Sequence, residues 1–172
     1  MSEFQPLERP LFFAGKLLTV ADFQQDQDYL LGRLRRLNRT LRGWGVVAGL
    51  DVSVDGTTVT VAPGLAIDCA GNEIVLAASR AVPIEGTASR GYVVIRFVET
   101  PVGAVPTPDG DPRFSRARED AMVELLSTNP NRRHRGRGPG TPGCGDPHGV
   151  CIATLAKRGR GWRALRQGGV RL

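Results

Sequence analysis

The chain has few cysteines, almost no lysine and no long apolar segment. Three Cys among 172 residues is a small and odd number, which excludes a disulfide-rich scaffold. No run of about 18 apolar residues occurs, so the sequence predicts no membrane-spanning helix. The first residues carry acidic groups and are followed by no apolar segment, so we expect no secretory signal. Together these absences predict a protein assembled in the cytoplasm, where thiols stay reduced.

Positive charge is abundant but unevenly placed. The net charge is +6, and only 2 of the 23 basic residues are Lys. Residues 1–85 carry a net −2 and residues 86–172 a net +8. The densest cluster is a basic loop formed by Arg132, Arg133, Arg135 and Arg137. Guanidinium groups bind phosphate and stack on bases, so this loop could contact nucleic acid or glycan. The segment contains no aromatic residue, however, which favours a solvated loop or a contact with a protein partner.

The strongest periodic pattern predicts a helix over residues 19–42. Its apolar stripe consists of Phe23, Leu30, Leu34, Leu37 and Leu41. The gaps between these residues are 7, 4, 3 and 4, which place them on one helical face. Thr19 is a good N-cap with Asp22 three residues later, and Gly43 ends the helix. The stripe has two readings at this point: it packs on the chain's own sheet, or on a neighbouring subunit.

After Gly45 the apolar period changes from 3.6 to 2. The alternating run Val46–Val54 and residues 57–61 flank Asp55-Gly56, a pair typical of a hairpin turn. Further short strands are predicted at 65–68, 73–76, 92–98, 121–126, 150–156 and 162–165. Regularly spaced short strands predict an antiparallel β-sandwich or small barrel. With the helix, this gives an α+β fold class.

Two Pro- and Gly-rich stretches, 101–115 and 127–149, are predicted to be long loops. Loops of this length in a compact domain are uncommon and are usually functional or ordered by a partner. The predicted organisation is therefore an N-terminal docking arm over 1–18, the helix over 19–42, and a β-domain over 43–172 that carries both loops.

A metal site is the first chemical function to consider. Cys144, His148 and Cys151 are three candidate zinc ligands close in sequence. The fourth ligand would have to be Cys69, His134 or Asp146. No CxxC pair is present, and Cys151 falls in a predicted strand, where a thiol packs as a small apolar group. We therefore expect no metal and no other cofactor. A Cys144–Cys151 disulfide would form only outside the cell.

The sequence also lacks the patterns of catalysis. It contains no GxSxG nucleophile turn and no phosphate-binding glycine loop followed by a helix. Asp55 and Asp68 could be taken for catalytic carboxylates, but the predicted turns at these positions already explain their presence. We therefore expect that the protein is not an enzyme.

Three segments together carry a family resemblance. They are Arg-Pro-Leu-Phe-Phe-Ala-Gly-Lys-Leu-Leu-Thr at 9–19, Asn-Arg-Thr-Leu-Arg-Gly-Trp-Gly-Val-Val-Ala-Gly-Leu at 38–50, and Pro-Gly-Leu-Ala-Ile-Asp at 63–68 with Gly-Asn-Glu-Ile at 71–74. This pattern resembles small structural proteins of phage tails and of phage-derived contractile injection systems, especially baseplate-associated or fibre-attachment components. Arg42 stands where that family often has His, and the resemblance covers only residues 9–76.

The resemblance implies a structural component that assembles with itself and with other subunits of a particle. It implies assembly in the cytoplasm, with release as part of an extracellular particle as a further expectation. The interface residues it suggests are Phe12, Phe13, Phe23, Leu30, Leu34 and Leu37. The alternative is a binding module whose basic loop 132–137 contacts nucleic acid or glycan.

Overall fold

The computed structural model describes residues 6–85, 89–108, 110–132, 134, 144, 147–159 and 161–167. Within these ranges the chain forms one α-helix, a short π-helical turn and ten strands. The helix α1 is Val20–Leu37 and the π-helical turn is Asn38–Arg42. The strands are β1 Gly45–Gly49, β2 Val52–Asp55, β3 Thr58–Val61, β4 Gly64–Ile67, β5 Glu73–Leu76, β6 Arg80–Pro83, β7 Arg90–Val105, β8 Arg113–Leu126, β9 Val150–Arg158 and β10 Gly161–Gln167.

The helix begins and ends where the sequence predicts. The Thr19 hydroxyl accepts a hydrogen bond from the Asp22 backbone N–H at 3.3 Å. In return the Asp22 carboxylate accepts one from the Thr19 N–H at 2.9 Å, which completes a capping box. At the other end Gly43 takes a φ of 82°, a left-handed conformation that glycine adopts without strain. The predicted helix over 19–42 is confirmed as α1 with its π-helical extension.

The strands form three antiparallel sheets. Their orders are β1-β4-β5, β2-β3-β6 and β10-β9-β7-β8. A single apolar core draws on residues from all three sheets, including Val46, Val61 and Ile152. In the largest sheet the first half of β7 lies between β8 and β9, and Val93 to Ile95 are almost completely buried there. The predicted α+β class, a helix followed by mostly antiparallel β-structure, is confirmed.

The run Val46–Val54 is two strands rather than one. Gly49 and Leu50 both have positive φ. At these two residues the chain bends and passes from the first sheet to the second. The Leu50 N–H then donates to the Pro63 carbonyl at 3.1 Å. A Cβ at position 49 would lie 2.3 Å from that same carbonyl oxygen, so only glycine fits. The alternation of apolar residues continues across this bend, so the sequence pattern does not reveal the bend.

The expected loop over 101–115 is mostly strand. Strands β7 and β8 extend into a long hairpin, and only residues 106–112 connect them. Pro101 lies opposite Ala117 in this hairpin. Strand β9 pairs with β7 only as far as Ile95. Beyond that point no other described strand pairs with this edge of β7, so the missing N–H of Pro101 is tolerated there. The described residues of the other expected loop, 127–149, lie outside any helix or strand.

Candidate functional site

The apolar stripe of α1 is exposed. No residue of the helix is buried, and Phe23 and Leu30 are 56% and 58% exposed. Within the described part of the chain, the stripe is therefore not covered by the chain's own sheet. The exposure continues into the preceding arm. We call the following residues the apolar N-terminal surface: Leu11, Phe12, Phe13, Leu17, Phe23, Leu30, Leu34 and Leu37.

The arm is fastened to the start of the helix. The Lys16 ammonium forms an ion pair with the Asp22 carboxylate at 2.6 Å. The same ammonium donates to the Leu11 carbonyl at 3.2 Å and lies 5.3 Å from the centre of the Phe12 ring. Hydrogen bonds from Lys16 and Thr19 hold the pKa of Asp22 well below its usual range. These contacts hold the arm against the first turn of the helix.

The other end of the helix is fixed to the turn between β4 and β5. Asn38 is 1% exposed, and its amide donates to the Gly71 carbonyl at 3.1 Å and to the Glu73 carboxylate at 3.3 Å. The helix passes so close that a Cβ on Gly71 would lie 2.1 Å from the Arg35 carbonyl oxygen. This junction sets the direction in which α1 leaves the β-structure.

The same turn holds one member of a second site. Cys69 is fully buried next to Asp68. The Asp68 carboxylate accepts hydrogen bonds from the Ala70 N–H at 2.9 Å and from the backbone and side-chain amides of Asn72 at 2.9 and 2.8 Å. Asp68 is therefore a structural residue that fixes the conformation of the turn, as the sequence predicts.

Three residues from the segment between β8 and β9 meet Cys69. They form a group that we call the Cys–His cluster: Cys69, His134, Cys144 and His148. Their ligand atoms all lie within 4.8 Å of one another. Cys69 Sγ is 3.3 Å from His134 Nδ1, the two histidine Nε2 atoms are 3.0 Å apart, and Cys144 Sγ is 3.1 Å from His148 Nε2.

Surrounding groups orient the two imidazole rings. His148 Nδ1 lies 3.1 Å from the Gly149 carbonyl, and in the tautomer that donates to this carbonyl, Nε2 has a lone pair towards the cluster. The buried Asn131 donates to the same carbonyl at 3.0 Å and accepts from the Cys151 N–H at 2.7 Å. The ring of buried Trp44 meets the His134 ring edge to face, with centroids 4.9 Å apart.

Burial raises the pKa of the Cys69 thiol to about 12. Desolvation is the main cause, because it disfavours the thiolate, and the nearby Cys144 and Asp68 add to it. In the absence of a cation this thiol is therefore protonated near neutral pH.

The cluster only partly matches the residues suggested by the sequence. Cys144 and His148 are brought together, but Cys151 is not in the group, and its thiol contacts the Ala153 carbonyl at 3.6 Å. Cys69 and His134 were two of the three suggested fourth ligands, and the structure places both in the group. The third, Asp146, lies outside the described residues. None of the three cysteines is in a disulfide in the described part of the chain.

The other suggested site residues are placed as follows. All six suggested interface residues are described and exposed, from Phe12 to Leu37. In the basic loop Arg132 is exposed, whereas Arg133, Arg135 and Arg137 lie outside the described residues. Among the described helices, none is long and apolar enough to cross a membrane.

Comparison with known proteins adds a likeness of fold. No protein-family description matches the chain, and no curated protein is similar to it in sequence. Among solved structures, the crystal structure of TssK is similar with a TM-score of 0.52 at 15% identity over 92% of this chain and 41% of that chain. The TssK-TssF-TssG baseplate subcomplex of the type VI secretion system contains a chain with a TM-score of 0.51 at 12% identity, over 92% of this chain and 60% of that one. The baseplate complex from the type VI secretion system contains another, with a TM-score of 0.50 at 14% identity, over 93% and 58% of the two chains.

The likeness covers nearly all of this chain but less than two thirds of those proteins. At such low identity it shows that this helix-and-sheet architecture also occurs in baseplate proteins.

Proposed function

We propose that the protein is a non-enzymatic structural component of a contractile injection particle and that it assembles with itself and neighbouring subunits through the apolar N-terminal surface. The observation that carries this proposal is the exposure of that surface. An apolar face that extends along a helix of 18 residues, about 27 Å, and into the preceding arm is unusual on a monomeric protein.

Contacts within the chain order the segments that carry this surface. Its N-terminal end is tied by Lys16 and Asp22, and its C-terminal end is tied by Asn38 to the β4–β5 turn. A helix that is capped at its start and anchored at its end loses less conformational entropy when a partner covers it, which favours binding. The partner that fits is another apolar helical or arm segment, which a second copy of this chain supplies.

The likeness of fold supports the choice of particle. Chains of similar architecture occur in the baseplate complexes of the type VI secretion system. The sequence segments that resemble phage-tail proteins, residues 9–76, include the arm, the helix and the turn that anchors it. The resemblance therefore includes the exposed arm together with buried residues at the junction that anchors the helix.

The test compares two double variants. Phe23→Ser with Leu30→Ser removes two exposed residues from the proposed interface. Phe114→Ser with Leu165→Ser removes the same two residue types elsewhere, where they are 59% and 46% exposed. Full burial of such a side chain contributes about 1.5–3 kcal/mol, and these side chains are already half buried, so the loss is about 2 kcal/mol for the pair.

That loss corresponds to roughly 30-fold weaker association for each variant helix in an interface. Sedimentation velocity over a range of concentrations should show the helix variant dissociating while the control variant sediments like the wild type. Equal behaviour of both variants would contradict the proposed interface, and a wild type that is monomeric and binds no other particle subunit would contradict the proposed function.

A further inference from the structure

We propose that the Cys–His cluster binds a single Zn²⁺ ion, which fastens the segment between β8 and β9 to the turn between β4 and β5. The inference is independent of the assembly proposal. It reverses the expectation from sequence that no metal binds.

The separations between the donor atoms support the proposal. With Zn–S bonds of about 2.3 Å and Zn–N bonds of about 2.0–2.1 Å, a tetrahedron places its donor atoms about 3.3–3.8 Å apart. The observed pairs are 3.0, 3.1 and 3.3 Å apart, and no pair exceeds 4.8 Å. Small adjustments of side-chain torsions would therefore bring all four atoms to bonding distance of a common centre.

The types of donor atom in the cluster favour zinc over other cations. Two thiolates and two imidazoles are the ligand set of structural zinc sites, and the thiolates exclude hard cations such as Mg²⁺ and Ca²⁺. Two thiolates balance the charge of Zn²⁺, so the bound site would be neutral. Four protein ligands leave no open position for a substrate or a reactive water, so the site would be structural rather than catalytic.

The surroundings resemble those of a metal site. His148 is oriented by its Nδ1 contact with the Gly149 carbonyl, and that carbonyl is held by the Asn131 amide. An imidazole ligand commonly uses its second nitrogen in this way, which fixes both the tautomer and the ring orientation. Trp44 and the Asp68 turn position His134 and Cys69 from the other side.

The site would also explain how two distant parts of the chain are joined. Cys69 and His134 are 65 residues apart in sequence. The described residues between β8 and β9 lie outside any helix or strand, so no sheet pairing joins them to the β-structure. A metal that bridges both parts would hold this segment against the β-structure.

The rival reading is a catalytic thiol–imidazole pair. Such a pair needs one reachable thiol and one imidazole that is free to accept its proton. Here Cys69 is fully buried, and the nitrogen of His148 that faces Cys144 also faces His134. Convergence of two thiols and two imidazoles on one point favours a shared cation.

The experiment measures zinc in the full-length protein after dialysis against zinc and removal of the excess. Cys144→Ser is the main variant because Cys144 is exposed, so the change leaves the core intact. Cys151→Ser is the matched control, because it removes a cysteine outside the cluster. We expect about one zinc per chain in the wild type and in the control, and well below half of that in Cys144→Ser. Far-UV circular dichroism checks that all three are folded.

Two further readouts make the result decisive. Cobalt should replace zinc and give thiolate-to-metal absorption in the wild type and control, and this absorption should be weakened in Cys144→Ser. Zinc should also protect Cys144 from alkylation by iodoacetamide. Absence of zinc from the wild type, equal zinc in Cys144→Ser, or rapid alkylation of Cys144 in the presence of zinc would each overturn the proposal.

Discussion

Gly71 is the point at which the helix rests on the β-structure, so Gly71→Ala is the most informative single substitution. Its φ is +91°, and an added Cβ would lie 2.1 Å from the Arg35 carbonyl oxygen and 2.9 Å from the Arg35 Cα. The backbone of the helix would have to move by about 1 Å or more to reach ordinary contact distance. That movement would break the hydrogen bond from Asn38 to the Gly71 carbonyl.

The cost has two parts. A left-handed conformation costs an L-residue about 1–2 kcal/mol. Loss of the buried Asn38 hydrogen bond and the displaced packing add about 1–3 kcal/mol. We therefore expect Gly71→Ala to lower the free energy of unfolding by about 3 kcal/mol.

Gly56→Ala is the matched control. Gly56 also has a positive φ, +56°, but no heavy atom lies within 4 Å of its added Cβ. It should lose only the conformational part, about 1 kcal/mol. Urea unfolding of both variants measures the difference, which corresponds to about 1 M in the midpoint at an m-value of about 2 kcal/mol/M.

Hydrogen exchange at residues 35–42 is the second readout, because the helix can leave the β-structure without global unfolding. Gly71→Ala should speed exchange there, and Gly56→Ala should not. If both variants lose the same stability and leave this exchange unchanged, the reasoning about the junction is refuted.

Four other predictions concern the helix start, the turn before β9 and the basic loop. Thr19→Ala should destabilise the first turn of α1 by about 1 kcal/mol, and the amides of that turn should then exchange hydrogen faster. Asp22→Asn should weaken the same turn at neutral pH; because the folded-state pKa of Asp22 is lowered from its usual 3.8, the difference from wild type should be full above pH 3.8 and fade as the pH falls below it. Asn131→Ala removes two buried hydrogen bonds and should lower the free energy of unfolding by about 2 kcal/mol in urea titrations, whereas an unchanged midpoint would show that Asn131 does not hold the turn. Serine at all four arginines of the basic loop should leave assembly unchanged, and loss of a steeply salt-dependent nucleic-acid affinity in that variant would favour the alternative binding module.

Local patterns in the sequence predicted the helix and several hairpins because their determinants lie close together. Thr19, Asp22 and Gly43 define the helix ends through contacts within a few residues. The Asp55-Gly56 turn joins β2 to β3 as predicted, with Val54 opposite Val59. The prediction differs from the structure where contacts between residues distant in sequence determine the conformation. The kink at Leu50 depends on Pro63, and the strand at Pro101 depends on where β9 stops pairing.

The candidate sites show the same division. The apolar stripe of α1 was visible as a period of 3.6, but its exposure depends on where the rest of the chain packs. The Cys–His cluster was only half visible, because Cys144 and His148 are near in sequence while Cys69 is brought to them by the pairing of β4 with β5. Its signal in the sequence was the presence of two further candidate ligands without a fixed spacing. Cys151 was misleading because it lies near the other ligands in sequence but on strand β9.

Composition of the assembled particle is the most direct test of the central claim. Contractile particles would be purified from the source organism and their subunits quantified by mass spectrometry, with and without the gene for this chain. The account predicts that this chain is present in a fixed ratio to the other baseplate subunits and that particles fail to assemble or lose their baseplate without it. Particles that lack the chain and form normally in its absence would contradict the account.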